Sequence, residues 1–251
     1  MPRFGTLDVK RRAETFASEI DGYKTESWLL KGAQILNLAY EIDDVSADAL
    51  IPPAMHPTIP AYAALNVMVS PESPAGRFAI AEVRVVGRAG FRPRSFVLAS
   101  VIDGDKGRRE LTSRWGFPAI AGEINLDLRH DRVRAVVRSK DKTVLECELL
   151  DRDTISGADI QYIASMHLAK NRQDGKQVLV QVDPEYVFSK AERGKPSLIS
   201  CDTNFWGANG QLQIGNPIAA TFAVCDVTLP KIRYLCDPER PALQGTTKVA
   251  A

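Results

Sequence analysis

The fold of this chain is decided by the stretch Ile124-Asn-Leu-Asp-Leu-Arg-His-Asp-Arg-Val-Arg-Ala-Val-Val-Arg-Ser-Lys-Asp-Lys-Thr-Val-Leu-Glu-Cys-Glu-Leu149. Its first segment, Ile124–Leu128, alternates strictly between apolar and polar residues, as a strand with one buried face does. Short polar turns then lead into two further strand-like segments, Val133–Arg138 and Val144–Leu149. Consecutive short strands joined by tight turns are typical of an antiparallel sheet.

The same pattern continues outward in both directions. Before this stretch, Tyr62–Ser70 and Gly76–Gly87 flank a Pro-Glu-Ser-Pro turn, and after it Lys170 and Val178 flank a segment with an Asp-Gly hairpin turn. Further strands are predicted at Gly32–Ile42, Ile160–Leu168 and Ala219–Val227, and short helical segments at Ser46–Leu50 and within Arg11–Ile20. The sequence therefore predicts a mainly β fold (β-rich α+β with few short helices), built as an antiparallel barrel or sandwich.

Composition limits the classes of function. The chain has 251 residues with 45% hydrophobic and 25% charged side chains, as a globular protein does. A net charge of +1 gives no argument for binding nucleic acid or a membrane surface. No run of 18 apolar residues occurs, and residues 1–21 contain no apolar signal core. We expect one domain over residues 28–237, a poorly tethered arm at 1–27 and a loose tail at 238–251.

The four cysteines predict a reducing compartment. None forms a Cys-x-x-Cys pair, and no cysteine clusters with a histidine, which excludes zinc-ribbon and thioredoxin-like sites. Free thiols and a cytoplasmic location are therefore expected, although a disulfide between distant cysteines stays open. Glycine-rich dinucleotide and P-loop signatures are missing too, so no cofactor is expected, and no His pair or carboxylate cluster calls for a metal.

The histidines do not form a hydrolase site in the sequence. His56, His130 and His167 are far apart, and none stands beside a recognisable nucleophile. We read all three as structural or exposed residues. The alternative for His56, which stands in a proline-rich loop, is that it lines a pocket.

Glu82 is the carboxylate most suited to chemistry. In the strand Phe78-Ala-Ile-Ala-Glu-Val-Arg-Val-Val86, alternation places Phe78, Glu82 and Arg84 on one face, while the other face is apolar. A Glu and an Arg on a covered face must pair or face a cavity. One interpretation is an outward surface pair, and the other is a general acid or base in a pocket.

The segment Arg108–Glu123 is a second candidate. It holds two glycines, a proline and two aromatic residues, which predicts a shaped loop of the kind that carries binding sites. Arg114 is suited to bind a substrate carboxylate. Alternatively, Arg108, Arg109 and Arg114 are surface charges beside Glu110.

This segment resembles the signature of the acetoacetate decarboxylase superfamily, which runs Gly-Arg-Glu, a short insert, then an aromatic residue, Pro and a Lys-Lys pair. Here it reads Arg109-Glu110-Leu111, Gly116-Phe117-Pro118 and Ala119-Ile120. Similar features elsewhere are Ala49-Leu-Ile-Pro-Pro53, Phe78–Gly87, Trp206-Gly207, Leu212, Pro217 and Leu229-Pro230. The resemblance covers roughly residues 28–237 and implies an antiparallel β-barrel or cone, commonly assembled into homo-oligomers.

The departure from the family pattern concerns the chemistry. In the decarboxylases the first Lys after that Pro forms a Schiff base, but Ala119 and Ile120 stand here, and no Lys lies between Lys106 and Lys140. The family's first-strand Arg and second Glu correspond to the region Lys31-Gly-Ala-Gln34 and to Asn66. Of the family's catalytic set, the resemblance carries over only Glu82.

Three functional hypotheses follow. The first is a lysine-independent enzyme that isomerises, dehydrates or cyclises a small keto or enol metabolite, with Glu82 as acid/base and Arg114 or Arg84 anchoring an anionic group. The second is a non-catalytic small-molecule binding protein. The third is a Schiff-base decarboxylase or aldolase with a relocated lysine, for which Lys31 is the candidate.

The expected pocket is partly apolar. We expect Arg84 and Asn66 in the substrate-binding set, together with the apolar residues Phe78, Trp115, Phe117, Pro118, Ala119 and Ile120. Such a lining suits an apolar or aromatic ligand better than acetoacetate. The expected partners are therefore this small-molecule substrate and further copies of the chain.

Overall fold

A computed structural model of the chain describes residues 3–249, and strands dominate it. The strands are β1 (Ser18–Ile20), β2 (Trp28–Ile42), β3 (His56–Pro57), β4 (Tyr62–Ser70), β5 (Phe78–Ala89), β6 (Arg92–Asp103), β7 (Ala119–Ala121), β8 (Glu123–Leu128), β9 (Arg132–Ser139), β10 (Lys142–Thr154), β11 (Ser165–Asn171), β12 (Gln177–Val182), β13 (Glu185–Cys201), β14 (Ile214–Leu229), β15 (Tyr234–Cys236) and β16 (Thr246–Lys248). The helices are α1 (Val9–Phe16), α2 (Asp44–Leu50), α3 (Asp105–Trp115) and α4 (Ala242–Gly245), with a 3-10 turn at Gly157–Asp159.

One sheet contains all sixteen of these strands and rolls into a ring. Its order is β16-β15-β12-β11-β6-β5-β4-β2-β14-β13-β10-β9-β8, with β1, β3 and β7 pairing beside this path. Two consecutive strands close the ring. The first, β7, pairs with β6, and the second, β8, follows after Gly122 and pairs with β9. A Cβ on Gly122 would lie 2.3 Å from the carbonyl oxygen of Arg138, so the closure needs glycine there.

Strand β6 is where the sheet divides. Its first half pairs in parallel with β11 at Ser95 and Ser165, and its second half pairs in parallel with β7 at Ser100 and Ala119. The layer β11-β12-β15-β16 leaves the ring at this point. Two apolar cores result, one on each face of β5: Ala79, Ala81, Val83 and Val85 belong to the first, and Phe78 and Ile80 belong to the second.

The mainly β fold predicted from the sequence is confirmed, and so is the hairpin pattern of its central stretch. Strand β4 has the predicted bounds, and β8, β9 and β10 contain the three predicted segments. The antiparallel pairing of β8 with β9 and of β9 with β10 follows from the short turns between them. The interpretation of Glu82 and Arg84 as an outward surface pair is wrong, because both faces of β5 are covered and the Glu82 side chain is buried.

The shaped loop predicted at Arg108–Glu123 is wrong for its first half. Residues up to Trp115 belong to α3, whose buried side recurs every four residues at Gly107, Leu111 and Trp115. Gly116, with φ 70°, ends the helix in the left-handed region. Only residues 116–118 form a loop, and β7 follows.

Both ends of the described chain are attached more firmly than the sequence predicted. Strand β1 pairs with β11, and the buried Arg12 guanidinium of α1 donates to the carbonyl oxygens of Leu98 and Gly207. Strand β16 pairs with β15. The predicted strand Ile160–Leu168 is wrong in its first half, since β11 begins at Ser165. Residues 3–249 include no helix long and apolar enough to cross a membrane.

Candidate functional site

Strand register aligns a row of side chains across the second face of the sheet. Asn37 of β2 pairs with Asn66 of β4, Asn66 with Glu82 of β5, Glu82 with Ser100 of β6, and Ser100 with Ala119 of β7. Because directly opposed residues point to the same face, four polar side chains and Ala119 form one line. We call this line the cross-strand row.

Glu82 is the charged centre of the cross-strand row. Its side chain is 1% exposed and forms a salt bridge with Arg84, whose Nε lies 3.0 Å from Oε2 and whose Nη2 also contacts that oxygen. The Ser100 hydroxyl donates to the other carboxylate oxygen, Oε1, over 3.1 Å. Two donors therefore hold and orient the Glu82 carboxylate.

Two cavities meet at Arg84 and Asn66. The inner cavity has a volume of about 40 Å³, which is room for about three water molecules. It is lined by Ile35, Asn66, Met68, Phe78, Ile80, Glu82, Arg84, Leu111, Phe117, Ser165, Val182, Pro184, Tyr186, Val227 and Leu229. Its wall is apolar except for a few polar groups at one end, which is the composition of a small-molecule site.

The outer cavity has a volume of about 480 Å³ and opens more widely. Asn66 and Arg84 line it as well, so these two side chains separate the two spaces. The rest of its wall comes from Asn37, Ala39, Pro60, Tyr62, Ala64, Val86, Ser95, Asp159, Ile160, Gln161, Tyr162, Ile163, Ile218, Ala219 and Thr221. A ligand that enters here meets Arg84 before it reaches Glu82.

The segment between β10 and β11 covers this junction. Arg84 Nη1 lies 3.5 Å from the carbonyl oxygen of Ile163. Tyr162 packs edge-on against Tyr186 with ring centroids 5.0 Å apart, and burial raises the pKa of both phenols. Both tyrosines therefore carry their protons at neutral pH and can donate hydrogen bonds.

A second polar pair lies at the inner cavity, on β11. The Ser165 Oγ is 2.9 Å from His167 Nε2, and His167 Nδ1 is 2.9 Å from the carbonyl oxygen of Trp115. His167 is fully buried, and its ring packs against Phe117 with centroids 4.2 Å apart. Burial lowers the pKa of His167 to about 4, more than the nearby Glu82 carboxylate raises it, so the imidazole is neutral at pH 7.

A larger open cleft of about 890 Å³ lies against β8 and β9, away from the cross-strand row. Its charged residues include Asp127, Arg129 and Arg134, which take part in surface ion pairs. Such exposed pairs are strongly solvated. We place the candidate site at the smaller cavities because their polar groups are buried and point at one another.

Five of the predicted site residues meet at the inner cavity. They are Glu82, Arg84, Asn66, Phe78 and Phe117. Ala119 lies beside them through its pairing with Ser100, and it packs against the same apolar core.

The other predicted site residues line neither cavity. Arg114 points along α3, where its Nε is 2.7 Å from Glu110 Oε2, and it stays partly exposed. Trp115 is fully buried and donates to the carbonyl oxygen of Pro230 over 2.8 Å. Pro118 contributes its backbone oxygen to the Ser100 amide, and Ile120, one residue beyond Ala119, points to the opposite face. The helical conformation of α3 and the alternation of β7 explain these positions.

The sequence interpretation missed Ser100, Ser165, His167 and Tyr186. Ser165 and His167 are two residues apart on one strand, a spacing that places both side chains on one face. The contact of Ser100 with Glu82 can be predicted only when the register of β5 with β6 is known, and no local pattern indicates that register.

Lysines are missing from the lining of both cavities, whose residues all lie in the described range. Lys31 lies elsewhere: its Nζ is 3.2 Å from Glu72 Oε1, and more than half of its side chain is exposed. Among residues 3–249 no group of three or more His, Cys, Asp or Glu residues is placed to hold a metal ion.

No protein-family model and no curated protein sequence matches this chain. Solved structures do match it. The acetoacetate decarboxylase of Legionella pneumophila subsp. pneumophila str. Philadelphia 1 superposes with a TM-score of 0.70 at 16% identity, over 84% of this chain and 88% of that chain. The enduracididine biosynthesis enzyme MppR, in complex with pyruvate, superposes with a TM-score of 0.65 at 15% identity, over 82% and 88%.

A third match is an acetoacetate decarboxylase-like enzyme from Sphingomonas wittichii RW1, with a TM-score of 0.65 at 14% identity, over 90% of this chain and 92% of that chain. Identities this low establish the fold. The chain therefore has the acetoacetate decarboxylase-like β fold that the sequence resemblance implied.

Proposed function

We propose that the chain is an enzyme that transfers a proton on a small keto or enol metabolite without forming an imine, with Glu82 as the acid/base group. The cross-strand row carries this proposal, because it places Ala119 in line with Ser100 and the buried Glu82. At the place where the family resemblance implies a Schiff-base lysine stands Ala119, which can form no imine, and Ser100 lies between it and Glu82 in the cross-strand row.

The chemistry begins with the Glu82 carboxylate, held in its ion pair with Arg84, as the base. A C–H bond next to the substrate carbonyl breaks, its electrons form the enolate double bond, and the proton goes to a Glu82 oxygen. Return of that proton to another carbon completes an isomerisation. If the carbon next to the deprotonated one carries a hydroxyl, its C–O bond can break instead: the enolate electrons form a new carbon–carbon double bond, and the departing hydroxide takes the proton from Glu82 and leaves as water.

The Arg84 guanidinium and the Asn66 amide supply the remaining interactions. Both line the two cavities, so both can donate to an oxygen on which charge develops during enolisation. Phe78 and Phe117 supply the apolar wall that keeps water from this charge. That MppR binds pyruvate on the same fold supports a carbonyl compound as the substrate.

Proton exchange tests the proposal without knowledge of the product. Pyruvate, acetoacetate and an aryl methyl ketone would be incubated with the protein in D2O, and loss of the α-proton signal would be followed by NMR. We expect exchange above the buffer rate with at least one ketone, and a fall of at least roughly 100-fold in Glu82→Gln, the usual contribution of a general base. Glu192→Gln is the matched control, because Glu192 is another buried strand carboxylate that pairs with an arginine.

Borohydride trapping separates this mechanism from Schiff-base chemistry. Each ketone would be added, reduced and followed by intact-mass spectrometry, with a lysine-bearing decarboxylase as the positive control. We expect no adduct, and Lys31→Ala should leave exchange unchanged because Lys31 lies outside both cavities. A stoichiometric adduct would overturn the lysine-independent mechanism, and peptide mapping would identify the lysine.

A non-catalytic binding protein is the second candidate, favoured because both oxygens of the Glu82 carboxylate already accept hydrogen bonds from Arg84 and Ser100. It predicts saturable ketone binding with no proton exchange in wild type. Ligand affinity would then be nearly the same in Glu82→Gln.

We also propose that the chain forms a homo-oligomer. Val187 and Ile199 on β13 and Ile218 on β14 are 73%, 51% and 47% exposed, and these strands are neighbours in the sheet. Covering such apolar side chains in a partner interface is favourable. Light scattering should give a multiple of 27.6 kDa, and a monomeric mass would refute the assembly.

A further inference from the structure

The positions of the hydrogen atoms in the Ser165–His167 pair follow from the hydrogen-bond partner of His167 Nδ1. The carbonyl oxygen of Trp115 can only accept, so the His167 Nδ1 beside it must carry a hydrogen. In a neutral imidazole the other nitrogen, Nε2, is then an acceptor. The Ser165 hydroxyl must therefore donate its hydrogen to Nε2.

His167 keeps this protonation state over a wide pH range. It is fully buried, Phe117 covers its ring, and the charged groups that act on it are Glu82 and Arg84, with opposite effects. Burial outweighs Glu82 and the hydrogen bond to the Trp115 carbonyl, which both raise the pKa of His167, and lowers that pKa to about 4. The ring thus remains a neutral acceptor for Ser165 at neutral pH.

Ser165 therefore offers only its lone pairs to the inner cavity. The other polar side chains there behave differently: Arg84 can only donate and is paired with Glu82, Glu82 accepts from Arg84 and Ser100, and Asn66 and Tyr186 can each donate as well as accept. For Ser165 to donate to a ligand, it must release His167 Nε2, which would leave a buried acceptor unpaired.

We propose that Ser165, held by His167, is a specificity-determining acceptor that selects a ligand hydroxyl, such as an enol, an alcohol or a hydrated carbonyl, over the corresponding ketone. This inference rests on the proposed function for the location of the site, and it adds the hydroxyl form as the species bound there. A ketone oxygen beside Ser165 meets lone pairs, whereas a hydroxyl there gains a hydrogen bond.

The first test uses the unaltered protein. Nitrogen-15 NMR of His167 should show the tautomer with hydrogen on Nδ1, unchanged from neutral pH down to about pH 5. A hydrogen on Nε2, or a cationic ring at pH 7, would overturn the assignment, because Ser165 would then be free to donate.

The second test compares 2-propanol with acetone, which are matched in size and differ in the hydroxyl or carbonyl group. Binding would be followed by NMR titration, with contacts from the probe methyls to Phe78 and Phe117 as the marker of the inner cavity. In wild type we expect 2-propanol to bind roughly tenfold more tightly than acetone, the effect of one buried hydrogen bond. In Ser165→Ala the ratio should approach one.

Ser70→Ala is the matched control, because Ser70 is an equally buried strand serine that bonds to the carbonyl oxygen of Glu72, away from both cavities. It should keep the wild-type ratio. Equal affinity in wild type, a preference for acetone, no binding of 2-propanol at the cavity, or an unchanged ratio in Ser165→Ala would overturn the proposal. Binding requires no turnover, so absence of proton exchange at Glu82 would refute the proposed function alone.

Discussion

Arg84→Met removes the cation that contacts the buried Glu82 carboxylate while keeping an apolar side chain of similar length. The two side chains are 15% and 1% exposed, so solvent cannot replace the lost partner. Breaking a buried ion pair by removal of one member costs about 3–5 kcal/mol, because the other charge stays behind. We expect a loss of that size in the free energy of unfolding at pH 7.

Urea unfolding at pH 7 provides the assay. The double variant Arg84→Met with Glu82→Leu removes both charges, and it should be more stable at pH 7 than Arg84→Met alone, by about 2 kcal/mol or more. A loss below about 1 kcal/mol in Arg84→Met, or no recovery of stability in the double variant, would refute the view that Glu82 is a buried carboxylate dependent on Arg84.

Three further predictions concern other parts of the site and its scaffold. Because the pKa of His167 is about 4 in the folded chain and about 6.5 in the unfolded chain, the free energy of unfolding of wild type should fall by roughly 3 kcal/mol as the pH falls from 6.5 to 4. The decrease should be smaller in His167→Phe, and equal pH slopes of the two proteins in urea unfolding would contradict this. Gly107→Ala should lower the free energy of unfolding by about 1–3 kcal/mol although alanine favours helix, since the new Cβ would lie 2.8 Å from Phe78 Cβ. A variant with a higher melting temperature in thermal unfolding would contradict the close packing of Gly107 against Phe78. Burial raises the pKa of the Cys147 thiol to about 12, so a thiol reagent at pH 8 should label it far more slowly in the folded chain than in urea, and equal rates would show that it is accessible.

The strands were predictable where the signal is local. Alternation in Ile124–Leu128 and the turns that follow are properties of neighbouring residues, and the structure keeps them as β8, β9 and β10. Burial of Glu82 could be inferred because the strand residues around it are largely apolar on both faces of β5. Helix α3 was also within reach, since Leu111 and Trp115 are four residues apart and Gly116 follows.

The rest of the site depends on contacts between distant segments. Ser100 meets Glu82 only through the pairing of β5 with β6, which includes a register shift after Val83. Ser165, which lines the inner cavity and contacts His167, comes there because β11 joins the dividing strand β6; its partner Ser95 lies 70 residues earlier in the chain. Nothing in the local sequence encodes either register, whereas the side chain at Arg114 looked suitable in isolation and is directed to Glu110 by the helix.

The pairing of β7 with β6 positions residue 119 through the backbone, whatever its side chain is. Backbone hydrogen bonds hold this strand in place, and the Ser100 amide donates to the oxygen of Pro118 whatever side chain follows. The backbone therefore fixes the position of residue 119 independently of its side chain, so a substitution of Ala119 would change the group next to Ser100 while the closure of the ring stays the same.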